Sequence, residues 1–297
     1  MRFEIRYRMA FEYENVIRHS QNEARACPVS DDHQILLSYR FHSNPSSRVQ
    51  SFTDYWGTRV DSYGIREPHV AVEIEACSTV ETHARPLVAA SAPFDALAGD
   101  GFWGPLVEHL QDTRHTHAGP QVRKWAQDLR DRTEGDVVDL VLAIHRAVHR
   151  ALRYVPGSTR IGTTVEDVLA GGAGVCQDYA HLAVAACRTL GIPARYVSGY
   201  FFTSDDRTGE TAGDAASVQT HAWFEAAIPG AGWLALDPTN ALAVGERHVT
   251  IGRGRDYDDV PPIRGIYSGA SDTTVNAGVE MRRMPDLVPT QQGHQQQ

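Results

Sequence analysis

The sequence predicts an α+β fold: a small all-β region followed by a helix packed on an antiparallel sheet. Three observations predict it. Residues 1 to about 84 alternate apolar and polar positions in short runs broken by turn residues. From Gln121 the spacing becomes helical, and beyond Gly191 it returns to strand-like runs. Strands, then helices, then strands is the pattern of segregated α+β architecture.

The elements follow in order. Phe3, Ile5 and Tyr7 alternate with charged residues. Residues 49–55 and 58–63 flank a Trp56-Gly57 turn, and Val70, Val72 and Ile74 alternate again. This reads as an antiparallel sandwich or sheet without a catalytic cluster. Cys77 follows a strand pattern and is expected to be buried and inert, like Cys27 beside Pro28. Residues 85–120 are a transition, broken by Pro86, Pro93, Gly99, Gly101, Gly104 and Pro105. His115-Thr116-His117 could bind a metal, but no cysteine or carboxylate pair stands near it in sequence, so no metal site is expected.

Val137, Val141, Ile144, Val148 and Ala151 form one helical stripe, with Asp136 and Asp139 at its start and Arg146, Arg150 and Arg153 at its end, as the helix dipole prefers. His145 and His149 have metal-ligand spacing but lack the adjacent glutamate of a zinc protease, so a packed or solvated face is expected. Pro156-Gly157 stops the helix. Thr163 to Glu166 opens a short helix with a threonine cap. Gly191-Ile192-Pro193 ends the next helix, and residues 194–202 read as a strand. Residues 203–219 read as a polar loop, in which Asp205, Asp206 and Asp214 are taken as solvated rather than cation-binding. Two strands follow, about 220–228 and 233–237, and Thr274 to Met281 reads as a last strand.

The chemistry gathers at Gly171-Gly172-Ala173-Gly174-Val175-Cys176, where a glycine-rich turn runs into an apolar helix. A thiol at a helix N-terminus meets free N–H groups and the positive end of the dipole, which stabilise a thiolate. Cys187 on the same helix reads as core. His181 lies five residues along, about 140° around the helix, so it points away from Cys176 and is expected to pack or cap a neighbouring loop. His221 opens a strand whose period-two neighbours, Trp223 and Glu225, suggest a covered face. A base must itself be oriented, and Asp237 and Asn240 both qualify. A plain four-residue hairpin loop pairing Ile228 with Trp233 would set Asn240 opposite His221, whereas a bulge or a longer asymmetric loop would bring in Asp237; register alone slightly favours Asn240.

Together, Gly174-Val175-Cys176-Gln177-Asp178-Tyr179-Ala180-His181, the run from Gly191 to Tyr200, His221-Ala222-Trp223 and the run from Trp233 to Thr239 resemble the bacterial transglutaminase-like superfamily. Tyr55-Trp56-Gly57-Thr58 and Glu67-Pro68-His69 are similar to the β-rich N-terminal region often attached to its members. The resemblance implies a papain-like core with nucleophile Cys176, base His221 and orienting acid Asp237, leaving Asn240 as the alternative. The expected division is a β-rich domain at 1–84, a transition at 85–120, a catalytic core at 121–285 and a polar, disordered tail at 286–297. The expected activity is cleavage of a peptide or isopeptide-type amide through a cysteine thioester. Hydrolysis is favoured over crosslinking because no EF-hand-like calcium loop is seen. The alternatives are a protein-glutamine transamidase and a non-catalytic scaffold. A zinc hydrolase built on Cys176 and His181 is disfavoured by the helix geometry. Tyr154 is a candidate oxyanion donor and Gln177 a candidate substrate-binding residue, while Arg255, Asp256 and Tyr257 are candidates to line the cleft.

Composition bounds the partners. The 297 residues include 28 Lys and Arg against 37 Asp and Glu, for a net charge of −9. Such a chain is a poor binder of nucleic acid or anionic membrane, so a peptide or protein amide is the expected partner. No cofactor is expected, and the oligomeric state is left open. Met1 to Tyr7 carries charge throughout with no apolar signal-peptide region, and no membrane span is read. Four scattered cysteines then point to reduced thiols in the cytoplasm.

Overall fold

The computed structural model of the protein describes residues 1–85, 91–160, 162–203, 215–218, 220–269 and 271–285. Of the expected 203–219 loop, residues 215–218 form a strand instead, paired with residues 279–282; residues 204–214 and 219, with Asp205, Asp206 and Asp214, and the 286–297 tail lie outside the described residues.

In chain order the strands of the first part are β1 (Arg2–Ile17), β2 (Ser20–Ala24), β3 (Gln34–Asn44), β4 (Val49–Thr53), β5 (Arg59–Ile65) and β6 (His69–Thr82). A short helix, α1 (Asp100–Trp103), lies in the transition. Then come α2 (Pro120–Arg132), α3 (Val137–Ala151), β7 (Arg153–Tyr154), α4 (Val165–Gly171), β8 (Ala173–Gly174) and α5 (Cys176–Thr189). The last part holds β9 (Ala194–Phe201), β10 (Ala215–Val218), β11 (Thr220–Ile228), β12 (Gly232–Asp237), β13 (Leu242–Ala243), β14 (His248–Gly254), β15 (Ile263–Tyr267) and β16 (Thr273–Met284). The fold is α+β, as the sequence predicts.

The helix caps are those the sequence specifies. Asp136 accepts from the N–H groups of Val138 and Asp139 to open α3, and Thr164 accepts from Asp167 N–H to open α4. α5 is buried almost all round; Leu182, Ala183, Val184 and Ala186 are fully covered. It packs with α3 against Phe224, Ala226 and Ile228 of β11 in one apolar core. The sheet beneath it runs in the order β13-β12-β11-β9-β14.

The β-rich part consists of two sheets, in the orders β10-β16-β1-β6-β3 and β15-β2-β5-β4. Here the expected domain boundaries need correcting. β16 pairs antiparallel with β1 from Arg2↔Met284 to Tyr13↔Thr273, and β15 pairs with β2. Residues 263–284 therefore complete the N-terminal sheets rather than belonging with the part that follows residue 121. A sheet edge holds a row of unpaired N–H and C=O groups, and the C-terminal strands cover two of them. The two parts also share apolar packing, because Tyr200, Phe202, Val249 and Ile251 lie in one cluster with Phe3, Tyr7 and Ile74.

Candidate active site

Cys176 is the first residue of α5 and is half-buried. The turn before it is tight. Asp178 reaches back so that Oδ2 accepts from Val175 N–H at 2.8 Å, and Thr159 Oγ1 donates to the same oxygen at 2.6 Å. Gly174 is required there, since a Cβ would lie 2.8 Å from Asp178 Cβ. The short parallel pair β7–β8 sets Tyr154 opposite Gly174, and Val155 N–H donates to Gly174 O at 3.0 Å. As a first-turn residue Cys176 has no carbonyl one turn earlier to accept its N–H.

His221 comes from the start of β11 and Asp237 from the end of β12. Their imidazole Nε2 and carboxylate Oδ2 are 2.8 Å apart. The hairpin register explains how. Ile228 pairs with Gly232 rather than Trp233, and Phe224 with Leu236. The loop thus has three residues, closed by Ala231 N–H donating to Ile228 O at 3.0 Å. Pro229 and Gly230 take its central positions, with Gly230 at φ 73, as a type II turn demands. The plain hairpin expected from sequence is one residue out of step, and a one-residue step moves every side chain to the other face. Asp237 accordingly falls on the face of His221 and Trp223.

Asp237 is fully buried and densely hydrogen-bonded. Its Oδ1 accepts from the N–H groups of Thr239 and Asn240 at 3.0 and 3.2 Å. Its Oδ2 accepts from Asn240 Nδ2 at 2.7 Å and faces His248 Nε2 at 3.2 Å. Burial alone would raise this carboxyl, but the bonds to His221 and His248 hold it far below the usual carboxylate range. Burial likewise pulls His221 down, yet its hydrogen bonds to Asp237 and to Cys176 push the imidazole up to about 10. With Nε2 directed at Asp237, Nδ1 is the ring nitrogen left for the thiol. Asn240 Nδ2 lies 3.4 Å from His221 Nε2, but a nitrogen already donating its proton to Asp237 is no acceptor, so Asn240 supports the carboxylate.

His248 is the residue the sequence reading missed. Its Nδ1 accepts from Gly245 N–H at 3.3 Å, which places the ring proton on Nε2, toward Asp237. Burial lowers its basicity, so one carboxylate serves one charged and one neutral imidazole. Phe201 packs against both rings, at 4.5 Å from His248 and 5.5 Å from His221, and Trp223 meets His248 edge-on at 5.3 Å. His145 and His149, read as an ordinary helix face, also turn toward this site. They donate from α3 to the backbone carbonyls of Asp237 and Pro238, each at 3.0 Å.

The remaining candidates divide. Tyr154 is exposed, and its phenol is raised by burial and by the nearby Cys176. Gln177 is half-buried in the first turn of α5. Tyr257 joins Cys176, Ala180, Tyr196, Ala222 and Val260 in one cluster. Arg255 holds Asp259 in a two-pronged ion pair at 2.9 and 3.0 Å, and Asp256 caps the turn by accepting from Asp258 N–H at 2.8 Å. Both help to hold that turn. His181 accepts from Tyr257 N–H at 3.1 Å, capping a neighbouring loop as its helix position predicts. Cys187 and Cys27 are buried and each pushed up to about 12, consistent with inert thiols; Cys77 is half-buried rather than buried. Among the described residues no helix is long and apolar enough to cross a membrane.

Comparison with known proteins finds relatives along most of the chain. The profile of the transglutaminase-like superfamily matches residues 123–238, and that of the bacterial transglutaminase-like N-terminal region matches residues 3–81. A protein of Mycobacterium leprae is 33% identical over 283 residues, covering 95% of this chain and 99% of its own length. The crystal structure of a candidate cysteine protease from Cytophaga hutchinsonii superposes with a TM-score of 0.77 at 25% identity, covering 96% of this chain and 91% of that one. A protein-glutamine gamma-glutamyltransferase from Pseudomonas aeruginosa is 31% identical over 134 residues, which is 43% of this chain and 19% of that protein.

Proposed function

Because this chain belongs to the transglutaminase-like superfamily, we propose that it is a thiol-dependent acyl-transfer enzyme that hydrolyses a peptide or isopeptide-type amide. The observation that carries the reading is the 2.8 Å bond from His221 to the buried Asp237, with Cys176 at the start of α5 beside the same imidazole.

The chemistry follows from the charges. The Cys176 thiolate attacks the amide carbonyl carbon, and the developing oxyanion is met by the Cys176 N–H, with Tyr154 as a second donor. A phenol raised in this way stays protonated and able to donate. The C–N bond breaks as His221 delivers its proton to the leaving amine, giving a thioester. Water then attacks the thioester, its proton passes to His221, and the thiolate leaves. Asp237 remains ionised throughout and holds the ring. Gln177 and Tyr257 border the thiol and are the proposed substrate contacts. Four cysteines without a bridge fit a reducing compartment, and the cytoplasm remains the proposed location.

Hydrolysis is favoured over transfer to an amine because the candidate protease matches along nearly the whole chain, whereas the glutamyltransferase matches only 43% of it. A partition experiment decides this: a glutamine peptide is offered with a labelled primary amine, and free acid is compared with labelled product. Predominant amine incorporation would replace hydrolysis with transamidation.

The triad is tested by alkylating Cys176 across pH. His221, raised to about 10 against an ordinary value near 6.5, stays an imidazolium through neutrality and loses its proton as pH rises through about 10. His221 thus holds a positive charge beside Cys176 at neutral pH. Alkylation should stay fast below the ordinary thiol range of about 8.5, and His221→Ala should abolish that fast labelling. Equal labelling profiles in both proteins would sink the triad.

A further inference from the structure

Outside the triad, His115, Asp256 and Asp258 converge from two distant segments. Their imidazole and carboxylate ligand atoms lie within 4.8 Å of one another. His115 Nε2 stands 3.1 Å from Asp258 Oδ1. We propose that these three side chains bind a divalent transition-metal ion of the zinc type.

The argument starts from His115. Its side chain is only 1% exposed, yet Nε2 has no hydrogen-bond partner. The approach to Asp258 is close but poorly aligned for a hydrogen bond. A buried imidazole nitrogen without a partner is unfavourable, and native structures rarely leave one without a reason. Two ligands each about 2.1 Å from one ion stand roughly 3–4 Å apart, and the 3.1 Å between His115 Nε2 and Asp258 Oδ1 meets that spacing. Asp256, also buried, accepts from Asp258 N–H at 2.8 Å and from His115 N–H at a long 3.4 Å. Those bonds fix the carboxylate and leave it lone pairs for an ion. Asp258 is 46% exposed, so an ion can enter from solvent and keep water as its remaining ligand.

Arg188 is a competing cation, whose charge Asp256 stabilises. Its donors go to the carbonyls of His109, Gln111, Ala194 and Arg255 and to Thr116 Oγ1. None of these bonds reaches the carboxylate. The triad cluster of His221, Asp237 and His248 has comparable spacing, but its ligand atoms already bond to one another. The ligand chemistry, one imidazole and two carboxylates, suits zinc, manganese or cobalt better than a soft thiophilic ion.

The position matters for the cleft. Tyr257 lies between the two carboxylates in sequence and borders Cys176. His115 stacks on His181 at 5.1 Å and 7°, and His181 accepts the Tyr257 N–H. An ion here would pin the Tyr257–Asp259 turn to the 113–117 segment and so fix one wall of the cleft.

The experiment is calorimetric titration of the full chain with zinc chloride, paired with thermal unfolding. It is run in a Cys176→Ala background, so that the thiol cannot hold the ion. One ion per chain and a rise in Tm with zinc are expected. His115→Gln and Asp258→Asn should each weaken binding by more than about tenfold and remove the Tm response. Asp258 is partly exposed, so its variant reads the site even where the His115 variant fails to fold. No zinc binding in the Cys176→Ala protein, or binding that Asp258→Asn leaves unchanged, overturns the proposal.

Discussion

Asp237 accepts hydrogen bonds from two backbone N–H groups and from the side chains of Asn240, His221 and His248. That density lets a fully buried carboxylate stay ionised beside His221. It also ranks the donors. Loss of the charge in Asp237→Asn removes what stabilises the imidazolium, and kcat should fall by about 10²–10⁴. Asn240→Ala removes one of the supporting donors and should cost less than about tenfold, the equivalent of roughly 1.4 kcal/mol. His248 acts on the reaction only through Asp237. His248→Phe should lower kcat with KM little changed, and His248→Gln, which keeps an N–H donor, should recover most of the loss. Steady-state kinetics of the four variants checks the order; an Asn240→Ala defect larger than that of Asp237→Asn would return the orienting role to Asn240.

The elements explain what the sequence disclosed and what it hid. The α5 limits, the Thr164 cap, the Trp56-Gly57 turn and the strands at 194–201 and 220–228 were legible because each depends on neighbours within a few residues. The β11–β12 register was not, because it turned on whether Gly232 belongs to the loop or to the strand. His248 was missed because its partner lies on another strand. The carboxylates that face His115 were missed because 141 residues separate it from Asp256. Gly199 is a further case. Paired with His221 in the β9–β11 ladder, it reads as a simple strand glycine. In the fold its bare Cα lets Val249 O and the Trp223 ring close in; a Cβ would overlap both. One of those contacts is backbone, so β14, which carries His248, would have to move. Gly199→Ala should therefore destabilise by about 1–3 kcal/mol, as overpacking does, and lower activity as well. A denaturant midpoint equal to that of the wild type would show that β9 and β14 have slack the structure does not suggest.

At the scale of the whole molecule, the β-rich part supports the half that carries Cys176, His221 and Asp237 through shared strands and packing. Alternation along β1 announced a strand, but nothing local could show that β16, some 270 residues later, is its partner. Gln34 of β3 makes the connection concrete: its side chain donates to Thr250 O at 2.8 Å and accepts Thr250 N–H at 2.8 Å, clamping β14. Thr82 Oγ1 donates to Glu246 O at 2.6 Å just ahead of His248. The apolar side chains Tyr200, Phe202, Val249 and Ile251, on or beside β9 and β14, are covered by this part of the molecule. Exposing four such side chains forfeits about 1.5–3 kcal/mol each, as an upper estimate. The sum is comparable with the total stability of an ordinary domain, about 5–15 kcal/mol. Residues 121–262 expressed alone should therefore not fold, although they contain Cys176, His221 and Asp237. Removing β15 and β16 from the full chain should be nearly as damaging, since β1 and β2 would each lose a pairing partner. The intact chain should unfold in one cooperative calorimetric transition. Two separated transitions, or a soluble 121–262 fragment whose Cys176 still alkylates rapidly at neutral pH, would mean that the catalytic half stands without the sheets that flank it.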